Sequence, residues 1–473
     1  MILRSHKMHS NQTISKDARP KPEQEEDLLD DGSSSTAAHV EERKPILTDY
    51  NAGDMHDSAD MDGRKRAYGS RVTRRSMKVR LLNVDVVTVV YINMFFYSTC
   101  FWIQTGVLPY LTRSLNLDTV AFGYLQTMFH LIQLIGGPLF GRFADLYGGR
   151  VALSCAFVSA AVMYGTLGAA TSSFGVFISR VPSLFLHAYH ASQMIIVDAT
   201  DPSKRAAALG RISLSYGLGM VIGPLIGGQI ASKFSEQCAA FVACAGSILS
   251  VAIVLKFIPA NTKDQSRVTS GKHVNEESKS SEGVFSISKM ISLLTQSPGA
   301  IFFLFYMLIS GAPSNLFQSM LSVITMETFA LTSDQTGFLL SITGVISMLV
   351  QGIGIGILTK RFSDSSILNG SIILLLASYL LLCFVSDIKH LVCVLILMTC
   401  GQSVIGTLLT SSLTKTVSVT DTGTMLGLGH ACQSLVSTIS PTIGAYLLEQ
   451  FGITSFGIVG VVVYTLLLLT PKS

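Results

Sequence analysis

The sequence predicts an all-α integral membrane protein with twelve transmembrane helices in two six-helix pseudo-repeats. Three observations predict this fold class: an apolar composition, twelve apolar segments of membrane-spanning length, and an internal repeat. Hydrophobic residues make up 49% of the 473 residues and charged residues 14%, whereas about 25% of an ordinary soluble domain is charged. The net charge of +4 is too small to suggest nucleic acid as a partner.

The apolar segments define the predicted domains. A helix that crosses the bilayer needs about 20 mostly apolar residues. Twelve segments meet this requirement, at about 84–110, 120–140, 151–170, 174–197, 207–231, 238–259, 299–325, 336–358, 367–385, 389–412, 422–447 and 452–470. The polar stretch 260–298 is predicted to be a cytoplasmic central loop between an amino-terminal bundle at 81–259 and a carboxy-terminal bundle at 299–473.

Residues 1–80 are rich in charged and small polar residues, which predicts a disordered cytoplasmic tail. Its basic run at 64–80 has two interpretations: an anchor that orients the first span, or a contact with anionic membrane lipids. Glu42, Ile46 and Leu47 in EERKPIL resemble an adaptor-read dileucine sorting signal, a pattern that also arises by chance.

Lysine and arginine are unevenly distributed between the two sides of the predicted bundle. Arg142, Arg150, Lys204 and Lys360 follow spans on the side of the amino terminus, as does the 64–80 run. Cytoplasmic connections carry the excess of basic residues. Both termini are therefore predicted to be cytoplasmic.

An internal repeat relates the two halves. Residues 122–143 lie over 336–362 at an offset of 214 to 215, which places Gly123 on Gly337. Residues 208–227 lie over 425–444 at an offset of 217, which places Pro224 on Pro441. Repeated halves are typical of transporters that bind substrate at the interface of the halves, near the membrane midplane.

The connection after the second span reads GRFADLYGGR. Its Gly141, Asp145, Gly148 and Arg150 resemble the cytoplasmic signature of the major facilitator superfamily. The resemblance implies the major facilitator fold and a conformational latch at these residues. The second half has Lys360 at the aspartate position, so we expect no latch there.

The fifth predicted span, GRISLSYGLGMVIGPLIGG, contains a proline and six glycines. Its spacing resembles the signature of the drug:proton antiporter branch of the superfamily, carried by Gly210, Gly219, Gly223, Pro224, Gly227 and Gly228. The resemblance implies a seam at which this span bends and seals against its neighbour.

Four further stretches narrow the resemblance to organic-cation-transporter-like solute carriers: LDTVAFGYLQ, GGPLFGRFAD, AALGR and TDTGTMLGL. This resemblance covers about residues 80–473. It implies a multi-pass protein of the plasma membrane, apical in epithelia, or of an endo-lysosomal or other intracellular membrane. The loop after the first span is short, which is closer to tetracycline- and multidrug-type antiporters.

Polar residues inside the spans are candidates for a substrate or proton cavity, because such residues are costly in lipid and usually face the bundle interior. Those at helical spacing are Asn93, Tyr97, Gln104, Gln126, His130, Arg180, His187, Gln318 and His430. The alternative is that they form hydrogen bonds between helices. Arg180 favours a function, because a lone guanidinium within a span needs a partner.

A proton-coupled transporter needs a titratable group inside its cavity. The candidate carboxylates lie at span ends, so His130, His187 and His190 are the predicted proton carriers. Aromatic residues, namely Tyr97, Phe101, Trp102, Phe129 and Tyr189, are candidates for cation–π contact with an organic cation.

The predicted function is secondary active transport of small organic molecules, cationic or amphipathic and drug-like, by alternating access, with proton antiport as one option. Two alternatives stay open: a proton-independent facilitator of a neutral or anionic solute, and a membrane scaffold or sensor that does not transport. No nucleophile, metal cluster or phosphate loop suggests an enzyme, and no cofactor is expected.

Overall fold

The computed structural model describes residues 85–200, 204–260, 262, 294–295, 297–417 and 422–470, and this part of the chain is helical. The amino-terminal half comprises α1 Val86–Ser114, α2 Thr119–Tyr147, α3 Gly149–Gly168, α4 Ser173–Ile178, α5 Ala188–Ala199, α6 Arg205–Lys233 and α7 Glu236–Phe257. The carboxy-terminal half comprises α8 Pro298–Glu327, α9 Ser333–Leu349, α10 Ile355–Arg361, α11 Asp364–Leu382, α12 Ile388–Lys415, α13 Thr422–Phe451 and α14 Thr454–Leu469.

Eight helices of the described residues are long and apolar enough to cross a membrane, which indicates a multi-pass membrane protein. They are α1, α3, α6, α7, α8, α9 continued by α10, α11 and α12. Helix α14 is apolar but has 16 residues, and the fourth predicted span, at 174–197, is not one continuous helix. The predicted count of twelve spans therefore stays a prediction.

Short polar side chains fix where several helices begin. The carboxylate of Asp118 accepts a hydrogen bond from the backbone N–H of Ala121 at 2.7 Å at the start of α2. The hydroxyl of Ser235 accepts one from the N–H of Cys238 at 3.1 Å at the start of α7. Such caps satisfy N–H groups that have no partner within the helix.

The two halves meet at one end of the bundle through close backbone contacts. A Cβ added to Gly337 on α9 would lie 2.2 Å from the carbonyl oxygen of Pro224 on α6. A Cβ added to Gly123 on α2 would lie 2.8 Å from the carbonyl oxygen of Pro441 on α13. These four residues are the two repeat pairs, so the α2–α13 and α6–α9 contacts are copies of each other. We call this the closed end.

The helices separate toward the other end, which we call the open end. Five glycines lie there in open space, because an added Cβ would meet no atom within 4 Å: Gly141, Gly210, Gly352, Gly356 and Gly427. Helices α2, α6, α10 and α13 therefore leave a space between the halves that narrows toward the closed end.

The glycines of α6 do not act as one surface. Gly219, Gly223 and Gly227 pack against the backbone of α1 within the same half, whereas Gly228 packs against Ser333 of α9 in the other half. Most of the predicted seam thus holds the amino-terminal bundle together, and its final glycine contributes to the closed end.

The predicted tail at 1–80, with Glu42, Ile46 and Leu47, lies outside the described residues. So does most of the predicted loop at 260–298.

Candidate functional site: a two-level central cavity

A break in the fourth span positions the most unusual side chain of the protein. Helix α4 ends at Ile178, a 3₁₀ turn covers Val181–Phe185, and α5 begins at Ala188. Pro182 lies at the start of that turn and has no backbone N–H to donate to the preceding turn. Gly136 of α2 allows close packing here, since an added Cβ would lie 2.1 Å from the carbonyl oxygen of Leu184.

Side chains from other helices satisfy the carbonyl groups that the break leaves free. The carbonyl of Leu186 accepts a hydrogen bond from the Tyr97 hydroxyl at 3.4 Å and one from the Gln133 amide at 3.4 Å. The carbonyl of Pro182 accepts one from the hydroxyl of Ser159. Irregular backbone at membrane depth needs such partners, because lipid offers none.

Arg180 lies immediately before the turn and is 1% exposed. Its Nη1 donates a hydrogen bond to Oε1 of Gln104 at 2.9 Å, and its guanidinium carbon lies 5.9 Å from the centre of the Phe129 ring. Its Nε and Nη2 are buried without an acceptor. The side chain is thus a buried cation that no carboxylate of the described residues pairs.

Arg180 lines a small pocket toward the closed end, which we call the deep pocket. It has a volume of about 220 Å³. Its polar lining consists of Gln104, Thr105, Gln126, His130, Arg180, Asn315, Gln318, Ser319, Ser322 and Ser437, and its apolar lining includes Phe101, Trp102 and Phe129.

A larger space, which we call the wide cavity, lies toward the open end and has a volume of about 750 Å³. Phe101 lines both spaces. Leucines and glycines contribute to its lining, and the aromatic, sulfur-containing and polar residues there include Tyr97, Gln133, His187, Tyr189, His190, Tyr216, Met220, Met348, Gln351 and His430. Among the described lining residues of either space there is no carboxylate.

The structure brings most of the predicted cavity residues together, in two groups. Gln104, Gln126, His130, Arg180 and Gln318 line the deep pocket. Tyr97, His187 and His430 line the wide cavity.

Asn93 lines neither space. It is fully buried, and its amide donates to the carbonyl of Val89, one turn earlier in α1, at 3.0 Å. Its side-chain oxygen is buried without a partner in the described residues, and its predicted role in the cavity stays a prediction.

Several lining residues were not predicted. Asn315 lies on α8 and accepts a hydrogen bond from Ser437 on α13 at 3.0 Å. Tyr216 and Met220 lie on α6 among the glycines, and Met348 and Gln351 lie where α9 turns toward α10. Asn315 could have been found as an amide inside an apolar segment. Gln351 carries the same signal. Tyr216, Met220 and Met348 do not, since their place depends on how two helices are rotated.

Polar contacts between the halves lie at the closed end. The hydroxyl of Thr119 on α2 lies 3.0 and 2.8 Å from the two carboxylate oxygens of Glu327 on α8. Arg113 on α1 lies 3.7 Å from the same carboxylate. The hydroxyl of Tyr110 lies 2.6 Å from that of Thr336 on α9.

The predicted latch residues lie at the open end, and no hydrogen bond or ion pair links them to the other half within the described residues. Asp145 is exposed and has no ion pair within the described residues. Arg150 donates to the carbonyl of Leu255 on α7, within its own half. Gly148 has φ of 82°, a conformation that favours glycine.

Two helix bundles related by an internal repeat, closed at one end around a central cavity, define a class of membrane transport protein. The family comparison agrees: the Major Facilitator Superfamily model matches residues 90–322 and 300–472. The chain belongs to this superfamily.

Relatives of known name extend the comparison. Solute carrier family 22 member 18 of Mus musculus is 37% identical over 81% of this chain and 94% of its own length. Solute carrier family 67 member A1 of Homo sapiens is 37% identical over 81% of this chain and 91% of its own length. The crystal structure of the human organic anion transporter MFSD10 (TETRAN) matches with a TM-score of 0.56 and 20% identity, over 81% of this chain and 99% of that one. The predicted resemblance to the major facilitator superfamily and to its solute carriers is confirmed.

Proposed function

We propose that this protein is a secondary transporter that moves small amphipathic organic molecules across a membrane by alternating access. The observation that carries the proposal is the two-level cavity between the halves, closed at one end by the paired contacts at Gly123 and Gly337 and open at the other. Rocking one half against the other would close the open end and open the closed end. The relatives, which are named as solute carriers, support the same role.

The predicted orientation gives this conformation a direction. Helices α1 and α14 begin and end, respectively, at the open end. With both termini in the cytoplasm, the open end faces the cytoplasm and the structure is inward-facing. The same proposal places the protein in the plasma membrane or in an endo-lysosomal membrane. It also includes recognition of Glu42, Ile46 and Leu47 by a sorting adaptor.

Proton antiport is a second candidate, and the histidines favour it. His187 and His190 lie with ring centres 5.7 Å apart on the amino-terminal half, and His430 reaches the same cavity from the carboxy-terminal half. His130 lines the deep pocket. Histidine is the side chain whose ordinary pKa lies nearest physiological pH, so these residues are the proposed proton carriers.

A cationic substrate is supported by the aromatic rings of Tyr97, Phe101 and Tyr189 in the wide cavity. The buried charge of Arg180 opposes it. The geometry therefore supports an amphipathic substrate more directly than a cationic one.

Purified protein would first be screened for thermal stabilisation by organic cations, anions and neutral amphiphiles. The strongest stabiliser would then be tested for counterflow in proteoliposomes, where an internal load of unlabelled compound drives uptake of the labelled compound. We expect counterflow, because alternating access exchanges substrate across the membrane. Binding without counterflow would instead favour the non-transporting scaffold or sensor.

The same proteoliposomes separate antiport from facilitation. If protons are exchanged, an imposed pH gradient drives uptake against the concentration gradient, and His430→Gln or His187→Gln weakens that response. Uptake that is independent of the pH gradient would contradict antiport and favour the facilitator.

A further inference from the structure

Two buried hydrogen-bond donors of Arg180 have no acceptor within the described residues around the deep pocket. The guanidinium makes one hydrogen bond, to Gln104, and leaves Nε and Nη2 without an acceptor at 1% exposure. Leaving a buried charge unpaired is costly, and the ring of Phe129 at 5.9 Å compensates for it in part. The charge of Arg180 therefore has no anionic partner among the described residues of the deep pocket.

The residues that face Arg180 across the pocket are neutral amides, not acids. Gln126, Asn315 and Gln318 come from α2 and α8, so both halves contribute to the lining. The lining residues that the structure describes hold one permanent positive charge and no carboxylate. A bound anion would receive charge-assisted hydrogen bonds from the guanidinium and further ones from the amide N–H groups.

The wide cavity shares the side chain of Phe101 with the deep pocket, and its lining combines aromatic rings and methionines with aliphatic and polar residues. Its volume of about 750 Å³ is more than three times the 220 Å³ of the deep pocket. A small pocket that holds a buried charge and a larger cavity with several aromatic rings thus lie on either side of a shared residue, Phe101.

We propose that the deep pocket binds the anionic group of an organic anion, with Arg180 as its counter-ion and the apolar body of the anion beyond Phe101 in the wide cavity. The proposal names the substrate class of the transport function proposed above and rests on that function. The shared chemistry is one carboxylate, sulfonate or phosphate attached to an apolar body.

The chain carries its own reporter for this test. It has one tryptophan, and Trp102 lines the deep pocket. Its fluorescence in protein reconstituted into liposomes of neutral lipid, which contain no other tryptophan, therefore reports binding there without a label. Three probes share one skeleton and do not absorb at the excitation wavelength of tryptophan: 4-phenylbutyrate, 4-phenylbutylamine and 4-phenylbutanol. Phenylbutane sulfonate and phosphate then distinguish the anionic groups.

We expect 4-phenylbutyrate to bind at least tenfold more tightly than the amine and the alcohol at pH 7. Arg180→Gln should remove this preference, and Gln104→Glu should remove it too, because it supplies a carboxylate beside the guanidinium. Arg361→Gln is the matched control: the same chemical change at an exposed position outside both spaces should leave all three affinities unchanged. If Arg180→Gln does not fold, the proposal is tested by the order of the three affinities in the wild type and by their change in Gln104→Glu.

Three results would overturn the proposal: tighter or equal binding of the amine, an anion affinity within twofold of wild type in the two deep-pocket variants, or no binding of any probe. Anion binding that depends on Arg180, without counterflow in proteoliposomes, would leave this site standing and remove the transport function. Counterflow of cations that is unchanged in Arg180→Gln would support the transport function and overturn the anion site.

Discussion

At the residue scale, one carboxylate connects the two halves at the closed end. The carboxylate of Glu327 accepts a hydrogen bond from the hydroxyl of Thr119, a residue that is 8% exposed. The same carboxylate lies 3.7 Å from the guanidinium of Arg113, which is more exposed. A hydrogen bond to a charged group contributes about 1.5–3 kcal/mol, whereas an exposed ion pair contributes about 0–1 kcal/mol. The Thr119 contact should therefore stabilise the closed end more than the Arg113 contact does.

Thr119→Val removes the hydroxyl at nearly constant volume, and we expect it to raise the population that is open at this end. Arg113→Gln should have a smaller effect, because water already screens its charge. Distances between spin labels at Asn116 and Thr328, one on each half, would report the two populations. An unchanged distance distribution in Thr119→Val would show that the hydrogen bond does not hold the closed end.

At the element scale, closely packed glycines stabilise two different kinds of helix contact, one within a bundle and one between the halves. A Cβ at Gly223 would lie 2.7 Å from the carbonyl oxygen of Thr99, inside the amino-terminal bundle, whereas one at Gly337 would meet the carbonyl of Pro224 across the halves. A backbone atom cannot rotate away as a flexible side chain can. The added methyl must therefore separate two helices.

Gly223→Ala should lower the stability of the bundle by about 1–3 kcal/mol, the usual cost of overpacking, and so lower the midpoint of thermal unfolding in detergent. Gly210→Ala lies on the same helix with no atom within 4 Å of the added Cβ and serves as the control. It should be neutral or stabilise by about 0.5–1 kcal/mol, because alanine favours a helix. Equal midpoints for the two variants would contradict this assignment.

Gly337→Ala should act on conformation, because the contact it disturbs exists only between the halves. We expect the spin-label distance at the closed end to lengthen while the unfolding midpoint changes less than in Gly223→Ala. Gly356→Ala, on α10 with no atom within 4 Å, is the matched control. A lower midpoint of thermal unfolding with an unchanged spin-label distance would show that Gly337 stabilises the bundle and does not control the conformation.

At the scale of the whole molecule, the repeat predicts what the other conformation looks like. The contacts at Gly123 and Gly337 are made here, while Gly141, Gly210, Gly356 and Gly427 lie in open space. Because α2, α6, α9 continued by α10, and α13 carry small residues toward both of their ends, rocking of the halves should exchange one set of contacts for the other.

A large side chain at the open end should therefore block that exchange without disturbing the present conformation. We expect Gly210→Leu to insert and fold normally, to keep the closed-end distance of the wild type, and to lose counterflow. The measurements are surface level, spin-label distance and flux. Wild-type flux in this variant would mean that α6 does not approach the other half at this end.

The sequence predicted the elements that depend on local chemistry. Lipid forces the backbone into helices, so apolar segments mark the spans, and the repeat pairs Gly123–Gly337 and Pro224–Pro441 are readable from spacing alone. Arg180 was recognisable too, since an arginine inside an apolar segment is rare. The break around Pro182 was missed because a proline alone does not mark one: Pro224 lies inside the continuous helix α6.

What a side chain contacts depended on tertiary structure. Asn93 and Gln104 lie on one predicted helix face, yet Asn93 bonds to its own helix and Gln104 holds an arginine 76 residues away. The same applies to the α6 glycines, which divide between two partners. The sequence by itself determined which segments are helical and which residues repeat, because those properties follow from composition and spacing along the chain. The tertiary structure decided the two levels of the cavity, the unpaired charge at Arg180 and the closed end, because these depend on the rotation and distance of helices that are far apart in sequence.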